Sequence, residues 1–238
     1  MFFVCTHPCS DFYLCLLNIL KLLQSTEYRH FRNAVLFSVA LAFIVAVFLL
    51  IYGKENSFLV INNYNSPQFD YVFRFWTYLG DGIIWIPLFG YALLFKRDYF
   101  VTILAALIIC TLLTHVLKRL IYPNEFRPIV VLANKVRAIP GYYMNREHSF
   151  PSGHTSTAFT LALLASFIVK KNFWVYFFPV IAFFVGYSRV YLAQHFVADV
   201  LAGMFVGIVS ASLSLLIYEQ FRKRKQKLET VDVNDDPA

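Results

Sequence analysis

The sequence predicts an all-α fold, an integral membrane bundle of six transmembrane helices with interfacial helical segments. Of the 238 residues, 59% are apolar and only 15% are charged, and the mean hydropathy is +0.59. Soluble domains carry about a quarter charged residues, and so small a globule cannot hide this much apolar surface. The 26 Phe and 15 Tyr suit a lipid-facing surface with interfacial rings. This composition excludes a disordered chain and disfavours a water-soluble domain.

Six uncharged stretches are candidate spans, because a bilayer core about 30 Å thick needs about 20 residues of helix. They cover residues 33–53, 82–95, 99–117, 155–169, 172–188 and 200–218. The second stretch is short and contains Pro87, and the fifth contains Pro179, which membrane helices tolerate. The sixth carries Gly203-x-x-x-Gly207, a pattern that lets neighbouring helices approach closely.

The segments around these stretches predict a three-part organisation. Residues 1–32 form an N-terminal segment whose apolar run, 12–20, is too short to span and predicts an interfacial helix. Residues 33–220 form the membrane domain, in which 66–80 is also typical of an interfacial segment. Residues 221–238 are first basic and then acidic, and we expect them to be a disordered cytoplasmic tail.

The apolar stretches predict a multi-pass membrane protein, expected in the cell inner (plasma) membrane, and the distribution of Lys and Arg predicts that both termini lie in the cytoplasm. In this orientation twelve of the 21 Lys and Arg lie inside and nine outside, a modest bias in the expected direction. Six of the nine outside cations fall within residues 118–154, together with only two acids. Basic loops normally lie on the cytoplasmic side, so this many cations in an outside loop need an explanation. Binding of a phosphate by this loop would provide one. The net charge of +7 also favours an anionic partner.

Three polar clusters, far apart in the chain, share the outer face in this topology. They are Lys118 with Arg127-Pro128, Pro151-Ser152-Gly153-His154, and Ser188-Arg189 with His195 and Asp199. Together they would bring fixed cations, two imidazoles, a carboxylate and a helix N-terminus to one anion. Such a set suits phosphoryl transfer, which requires the charge on the equatorial oxygens to be neutralised. The outer carboxylates are scattered, so no metal site is expected.

The residue types indicate a role for each imidazole. His195 and Asp199 are four residues apart, and we expect them to share one face of a helix. Asp199 would accept the Nδ1 proton of His195 and leave Nε2 as a nucleophile. Ser152 is a good helix N-cap, Gly153 lets an anion approach the backbone, and His154 could protonate a leaving oxygen. Taken singly, a helical His–Asp pair and a helix cap also have purely structural explanations.

The cations differ in how they would hold a phosphate. Arg127 and Arg189 can each donate to two oxygens, whereas Lys118 would act as a point charge. Lys118 at a helix end could also simply extend to the interface. Arg189 is harder to explain structurally, because a charge near a span end is costly unless it is paired.

Two of these clusters resemble signatures of the type 2 phosphatidic acid phosphatase family, which also includes vanadium haloperoxidases. PSGH at 151–154 and SR-x5-H-x3-D at 188–199 match the second and third signatures. The first signature is K-x6-RP. Here Lys118 gives K-x8-RP, and Arg119, which gives x7, is the competing assignment. The segment 79–82 (LGDG) also resembles this family, and the resemblance covers roughly residues 70–218.

The resemblance implies a metal-independent hydrolase of phosphoric esters or anhydrides that needs no cofactor and acts in the membrane, facing the periplasm or exterior. By this resemblance His195 becomes phosphohistidine, Asp199 orients it, and His154 is the general acid. The implied phosphate ligands are Lys118, Arg127, Ser152, Gly153 and Arg189.

The expected partner is a phosphorylated lipid in the membrane, and no nucleic acid. Phosphatidate, phosphatidylglycerol phosphate, undecaprenyl diphosphate and lipid A are all open as substrates, and the oligomeric state is not predicted. A phosphotransferase of the same superfamily is an alternative. A non-catalytic anion transporter is another, although transport requires neither a nucleophile nor an acid.

Overall fold

The computed structural model describes the backbone of residues 26–234 and the side chains as far as residue 227. Within that range the chain forms seven helices of ten or more residues, joined by short helical turns and loops, and no strand is assigned. The helices are α1 (Arg29–Asn63), α2 (Pro67–Trp76), α3 (Trp85–Phe95), α4 (Phe100–Val116), α5 (Gly153–Val169), α6 (Asn172–Tyr191) and α7 (Val197–Asn234). The predicted all-α fold is confirmed.

All six predicted stretches lie in helical structure, but they do not all reach membrane-spanning length. In the part of the chain that the structure describes, four helices are long and apolar enough to cross a bilayer: Thr26–Asn63, Arg97–Ile121, Asn172–Tyr191 and Val197–Lys227. A fifth span results if Pro67–Gly80 and Gly82–Phe95, bent by 55°, count as one broken span. The helix α5 has only 17 residues. A multi-helix membrane architecture is therefore confirmed, whereas the number six stays a prediction.

The first helix differs from its predicted bounds at both ends. It begins at Arg29, four residues before the predicted span, and continues past Gly53 to Asn63. Gly53 has φ 74° and produces a kink, a conformation that glycine adopts without steric cost. The predicted interfacial helix at 12–20 lies outside the described residues.

The last helix corrects the prediction of a disordered tail. The backbone is helical as far as Asn234, well beyond the predicted end at residue 218. Two ion pairs fix the first turns of this extension, one between Arg222 and Glu27 and one between Lys225 Nζ and Asp98 Oδ1 at 3.2 Å. Lys, Arg, Gln and Glu are also good helix formers, so the polar sequence that suggested disorder is compatible with a helix.

The centre of the bundle is α5, which contacts α1, α4, α6 and α7. The predicted close approach of α7 is confirmed at both glycines. A Cβ on Gly203 would lie 2.7 Å from the Ser152 carbonyl oxygen, and one on Gly207 would lie 2.6 Å from Phe159 Cβ. Because only glycine fits there, the backbones of α5 and α7 meet directly.

The long connection between α4 and α5 is fastened to the ends of other helices. Arg137 donates to both carboxylate oxygens of Asp70, with Nη1–Oδ1 at 2.9 Å, and its backbone N–H donates to Asn62 Oδ1 at 2.8 Å. The Tyr191 hydroxyl also donates to Asp70 Oδ1, at 2.6 Å. These contacts hold the connection over the end of the bundle where α4 and α6 end and α5 and α7 begin.

Candidate active site

The third predicted cluster lies where α6 turns into α7, and its geometry differs from the expected helical pair. His195 precedes the helix, which starts at Val197, so the prediction that it shares a helix face with Asp199 is wrong in that detail. Asp199 lies in the first turn, where its Oδ2 accepts the Phe196 N–H at 2.9 Å and the Ser149 hydroxyl. His195 Nδ1 is 3.4 Å from the same oxygen, close but not aligned as a hydrogen bond. Helix capping thus brings the pair together.

Burial fixes the charge state of His195. The His195 and Asp199 side chains are 2% and 1% exposed. Burial lowers the pKa of His195 well below its usual range, and the nearby positive charges of Arg127, Arg189 and Lys118 lower it further. His195 is therefore neutral at neutral pH, the form that has a lone pair for attack.

The second cluster opens α5 as predicted and is tied to the third. Ser152 is the N-cap, and its Oγ accepts the Thr155 backbone N–H at 3.4 Å and the Thr155 hydroxyl at 2.9 Å. The Ser152 backbone N–H donates to the Asp199 carbonyl oxygen at 3.0 Å. Ser152 is fully buried, whereas Gly153 and His154 are half-buried. The starts of α5 and α7 therefore form one unit.

A segment that the motifs did not assign to the site approaches His154. Asp81 Oδ2 is 3.8 Å from His154 Nε2, beyond ordinary hydrogen-bond distance. Gly80 makes this approach possible, since a Cβ there would lie 2.6 Å from the His154 carbonyl oxygen. The turn between α2 and α3 is thereby docked onto the first residues of α5.

Arg127 is buried and held by main-chain oxygens. Its Nε donates to the Glu147 carbonyl at 3.0 Å, and its Nη1 donates to the carbonyl and the side-chain oxygen of Gln194 at 3.1 and 2.8 Å. Burial, and then the charge of Arg189, lower the pKa of Arg127 to about 10. The guanidinium is therefore still charged at neutral pH, and these contacts fix its position against the turn that carries His195.

Arg189 lies near the end of α6 and is 5% exposed. Its Nη1 donates to Thr77 Oγ1 at 2.8 Å and to the Tyr142 hydroxyl at 3.4 Å, while its buried Nε has no hydrogen-bond partner. Arg127 and Arg189 are close enough to repel each other. Buried charges are stable only when they are compensated, so the pair forms a site that favours an anion.

The position of Lys118 separates it from Arg119. Lys118 lies in a π-helical turn, Leu117–Ile121, at the end of α4, and it is half-buried and interacts electrostatically with Arg127 and Arg189. Arg119 is exposed. A π-turn accommodates additional residues in a helix and is frequent at functional sites, which agrees with the longer spacing of the first motif. The geometry therefore favours Lys118.

The structure thus brings the three predicted clusters to one end of the bundle. His154, His195, Arg127, Arg189 and Lys118 all lie within electrostatic range of one another or of a shared neighbour. The motifs did not identify the residues that hold these groups, which are Ser149, Gln194, Thr77, Tyr142 and Asp81. Only Asp81 had a signal in the sequence, through the resemblance of 79–82. Among the described residues, no group of three or more His, Cys, Asp or Glu is placed to hold a metal ion.

Comparison with known proteins identifies the family. Residues 99–223, more than half of the chain, match the model of the PAP2 superfamily. The chain belongs to the PAP2 superfamily. The resemblance to type 2 phosphatidic acid phosphatases is thereby confirmed, and with it the assignment to membrane hydrolases that act on phosphoric esters of lipids. A phosphohistidine intermediate is general to this superfamily.

Individual relatives support the same assignment. The chain is 27% identical over 179 residues to a lipid A 4'-phosphatase of Porphyromonas gingivalis, covering 72% of this chain and 75% of that protein. It is 27% identical over 187 residues to an undecaprenyl-diphosphatase of Sulfolobus acidocaldarius, covering 73% and 86%. The crystal structure of Aquifex aeolicus LpxE superposes with a TM-score of 0.61 at 32% identity, covering 68% of this chain and 94% of that one.

Proposed function

We propose that this PAP2 superfamily protein releases phosphate from a lipid phosphate through attack by His195. The observation that carries the proposal is the buried, neutral His195 beside Asp199, at the same end of the bundle as His154 and two incompletely compensated arginines. A neutral imidazole next to concentrated positive charge is arranged to meet a phosphate. An anion transporter would need the cations but not this buried His–Asp pair.

The chemistry follows from the positions of the two imidazoles. His195 Nε2 attacks phosphorus, and the N–P bond forms as the P–O bond to the lipid breaks. His154 transfers its proton to the departing oxygen, so the lipid leaves as an alcohol from a monoester or as the lipid monophosphate from a diphosphate. Water then attacks the phosphohistidine, giving its proton to His154, and the P–N bond breaks to release phosphate and restore His195. Asp199 orients His195 through both steps.

The phosphate would be held by the cationic cluster, which we define as Lys118, Arg127 and Arg189, and by the start of α5. The described hydrogen bonds come from Nε and Nη1 of Arg127 and from Nη1 of Arg189, which leaves the Nη2 group of each for phosphate oxygens. The first N–H groups of α5, at Gly153 and beyond, have no partner within the helix. Ser152 Oγ accepts two hydrogen bonds and still has its own proton to donate.

We infer the orientation in the membrane from the distribution of charge. The site lies at the start of α7, and the basic residues at 222–225 lie about 25 residues further along it, or about 38 Å at 1.5 Å per residue. The positive-inside rule places that basic end in the cytoplasm. The site then faces the periplasm or exterior, with six spans and both termini inside, and residues 33–220 form one membrane domain.

The experiment compares phosphate release by the purified protein and its His195→Ala variant. The substrates are lipid A, phosphatidate and undecaprenyl diphosphate. Loss of the nucleophile should lower turnover of every hydrolysed substrate by about 10³-fold or more. The control is His30→Ala, near the start of α1 and far from the site. Retained turnover in His195→Ala would overturn the proposal.

The same assay tests metal independence. The proposed mechanism assigns every charge and proton to side chains, so we expect full activity in excess chelator. A loss of activity that Mg²⁺ restores would contradict that part of the mechanism. Adding glycerol or another alcohol as an acceptor distinguishes the hydrolase from a phosphotransferase, since a transferase would form the new phosphate ester.

A further inference from the structure

Tyr142 lies in the long connection between α4 and α5 and brings a hydroxyl group to the cationic cluster. Arg189 Nη1 donates a hydrogen bond to the Tyr142 hydroxyl oxygen at 3.4 Å. Tyr142 also lies within electrostatic range of Arg127. The phenol is therefore near both arginines, on which the proposed mechanism places the phosphate, although no sequence motif includes it.

Contacts on both sides fix Tyr142 in this position. Its backbone N–H donates to the Ile139 carbonyl at 3.1 Å, and its ring packs against the buried apolar cluster that includes Ile139. The carbonyl of the next residue, Tyr143, accepts the side-chain N–H of Gln194 at 2.9 Å. Gln194 in turn accepts from Arg127. The tyrosine is thus held in place before a ligand binds, so a new hydrogen bond from it costs little conformational entropy.

The Tyr142 hydroxyl has a proton that its contacts within the protein do not use. A tyrosine hydroxyl accepts hydrogen bonds and also donates one. The Tyr142 oxygen accepts from Arg189, and none of the described residues accepts its proton. The side chain is partly exposed. The proton is therefore free to turn toward an anion that the arginines hold.

A neutral donor adds something that a further cation would not. Phosphoryl transfer requires the negative charge on the equatorial oxygens to be stabilised. Arg127 and Arg189 already repel each other, and another positive charge would increase that repulsion. A hydroxyl donates to a phosphate oxygen without adding charge, and a donor fixed in advance is effective in such a site.

We propose that Tyr142 is a further phosphate-binding residue of the catalytic site. Its hydroxyl accepts the Arg189 N–H and donates its own proton to an oxygen of the transferred phosphate. This inference rests on the proposed function, because it takes the two arginines as the phosphate site. The competing explanation is that Tyr142 only holds Arg189 in place by accepting its hydrogen bond.

The first test is Tyr142→Phe, which removes the hydroxyl and keeps the ring. The dissociation constant of inorganic phosphate, measured by calorimetric titration, should rise about 10- to 100-fold, the effect of one hydrogen bond to a charged group. The value of kcat/KM for p-nitrophenyl phosphate should fall by a similar factor. The matched control is Tyr143→Phe. Tyr143 is 80% exposed and contacts Gln194 through its carbonyl, which Phe retains, so both constants should stay within about twofold.

A second substitution separates donation to phosphate from positioning of Arg189. Replacing Tyr142 by 3-fluorotyrosine keeps the ring and the hydroxyl. Fluorine makes the phenol a better hydrogen-bond donor and a poorer acceptor. Below neutral pH, where the fluorinated phenol is protonated, the dissociation constant of phosphate should therefore fall relative to the parent. If Tyr142 only accepts from Arg189, the same constant should rise.

Two results would overturn the inference: an unchanged dissociation constant in Tyr142→Phe, and weaker phosphate binding by the fluorotyrosine variant. If Tyr142→Phe unfolds at a lower temperature than the parent, the fluorotyrosine variant, which loses no contact, decides alone. Neither binding result depends on turnover, so both leave the requirement for His195 untouched. Retained turnover in His195→Ala would instead defeat the proposed function itself, so the two failures are distinguishable.

Discussion

At the residue scale, His195 is subject to burial and to three neighbouring cations, and both favour its neutral form. Asp199 Oδ2 lies 3.4 Å from His195 Nδ1, and the same oxygen accepts hydrogen bonds from the Phe196 N–H and the Ser149 hydroxyl. The carboxylate is therefore held in place before any substrate arrives. In the proposed mechanism Asp199 orients the imidazole, and the surrounding positive charge favours the neutral form of His195.

This electrostatic arrangement predicts a change in pH dependence. Because the pKa of His195 is lowered, its neutral form persists below pH 6.5, and removing one nearby positive charge should raise that pKa. Arg127→Gln should therefore move the acid limb of the kcat/KM profile to higher pH, in addition to lowering the rate. The measurement is the profile of both proteins with one substrate, so that ionisation of the substrate cancels. If the acid limbs of the two proteins coincide, or if the limb of Arg127→Gln lies at lower pH, this electrostatic account is contradicted.

The half-buried Lys118 and the exposed Arg119 predict unequal effects of substitution. Lys118→Met should lower kcat/KM by about 10²-fold, since it removes a positive charge that the proposed mechanism places on the transferred phosphate. Arg119→Met should stay within about threefold, because its side chain is exposed to solvent. The measurement is kcat/KM of each variant relative to the parent. A larger loss of kcat/KM in Arg119→Met than in Lys118→Met would assign the phosphate-binding cation to Arg119.

The sequence motifs predict which residues come together at the candidate site, whereas the contacts that hold those residues in place could not be predicted. PSGH and SR-x5-H-x3-D have fixed spacing because each lies on one helix end or one turn. Ser149 and Gln194 reach their partners across loops, and Thr77 reaches Arg189 from a different helix pair. Such contacts have no characteristic spacing along the chain, so only the folded structure reveals them.

At the element scale, the direct contact between α5 and α7 joins the second and third signatures. Gly203 faces the Ser152 carbonyl, and the Ser152 N–H donates to the Asp199 carbonyl. Any separation of these helices would move His154 relative to His195. Displacements of about 1 Å can cost about 10²-fold in rate.

Gly203→Ala is therefore expected to be damaging even though alanine favours helices. The added Cβ would lie 2.7 Å from a backbone oxygen, which cannot move aside as a flexible side chain can. We expect a loss of about 1–3 kcal/mol in stability, the usual cost of overpacking, together with a fall in kcat. The matched control is Gly90→Ala in α3, where the new Cβ meets nothing within 4 Å and helix propensity favours alanine.

Two measurements compare the variants: the temperature of unfolding in detergent, and the rate of phosphate release. Gly203→Ala should unfold at lower temperature than the parent, and Gly90→Ala at the same or higher temperature. An unchanged Gly203→Ala variant would show that the two helices do not meet as closely as described.

The hydropathy of the sequence predicts where the helices lie, but it does not predict the residues at which they begin and end. The apolar stretches mark where the chain is buried in lipid, while α1 and α7 continue as polar helices beyond them. The extension of α7 depends on partners at Glu27 and Asp98, which lie far away in the chain. The i, i+4 spacing of His195 and Asp199 predicts a pair on one helix. The same spacing also occurs in the capping turn that the structure shows, so the spacing does not distinguish the two.

At the scale of the whole molecule, the site and the basic end of α7 lie at opposite ends of the bundle. This arrangement predicts their accessibility in intact cells. The test uses a variant in which the four cysteines (Cys5, Cys9, Cys15 and Cys110) are replaced by Ala. One new cysteine at a time is then introduced into this variant. Asn145→Cys, beside the site, should react with a membrane-impermeant maleimide. Gln226→Cys and Lys171→Cys should react only after lysis.

Lys171 is the informative position for the number of spans. It follows α5, which has only 17 residues, and is exposed. If α5 crosses the bilayer, Lys171 and Asn145 lie on opposite sides. Labelling of both from outside would mean that α5 does not span, and labelling of Gln226→Cys from outside would reverse the orientation.

The convergence of two imidazoles on one phosphate is tested most directly by mapping a trapped phosphoenzyme in the His154→Ala variant. The substrate p-nitrophenyl phosphate has a leaving group that departs without an acid, so His195 should still be phosphorylated. Hydrolysis of that intermediate should then be slow, because the base is missing. We predict an acid-labile, alkali-stable phosphate on His195, found by mass spectrometry, and its absence when His195 is also replaced by Ala. Phosphate on any other residue, or a phosphoenzyme that persists without His195, would contradict the mechanism.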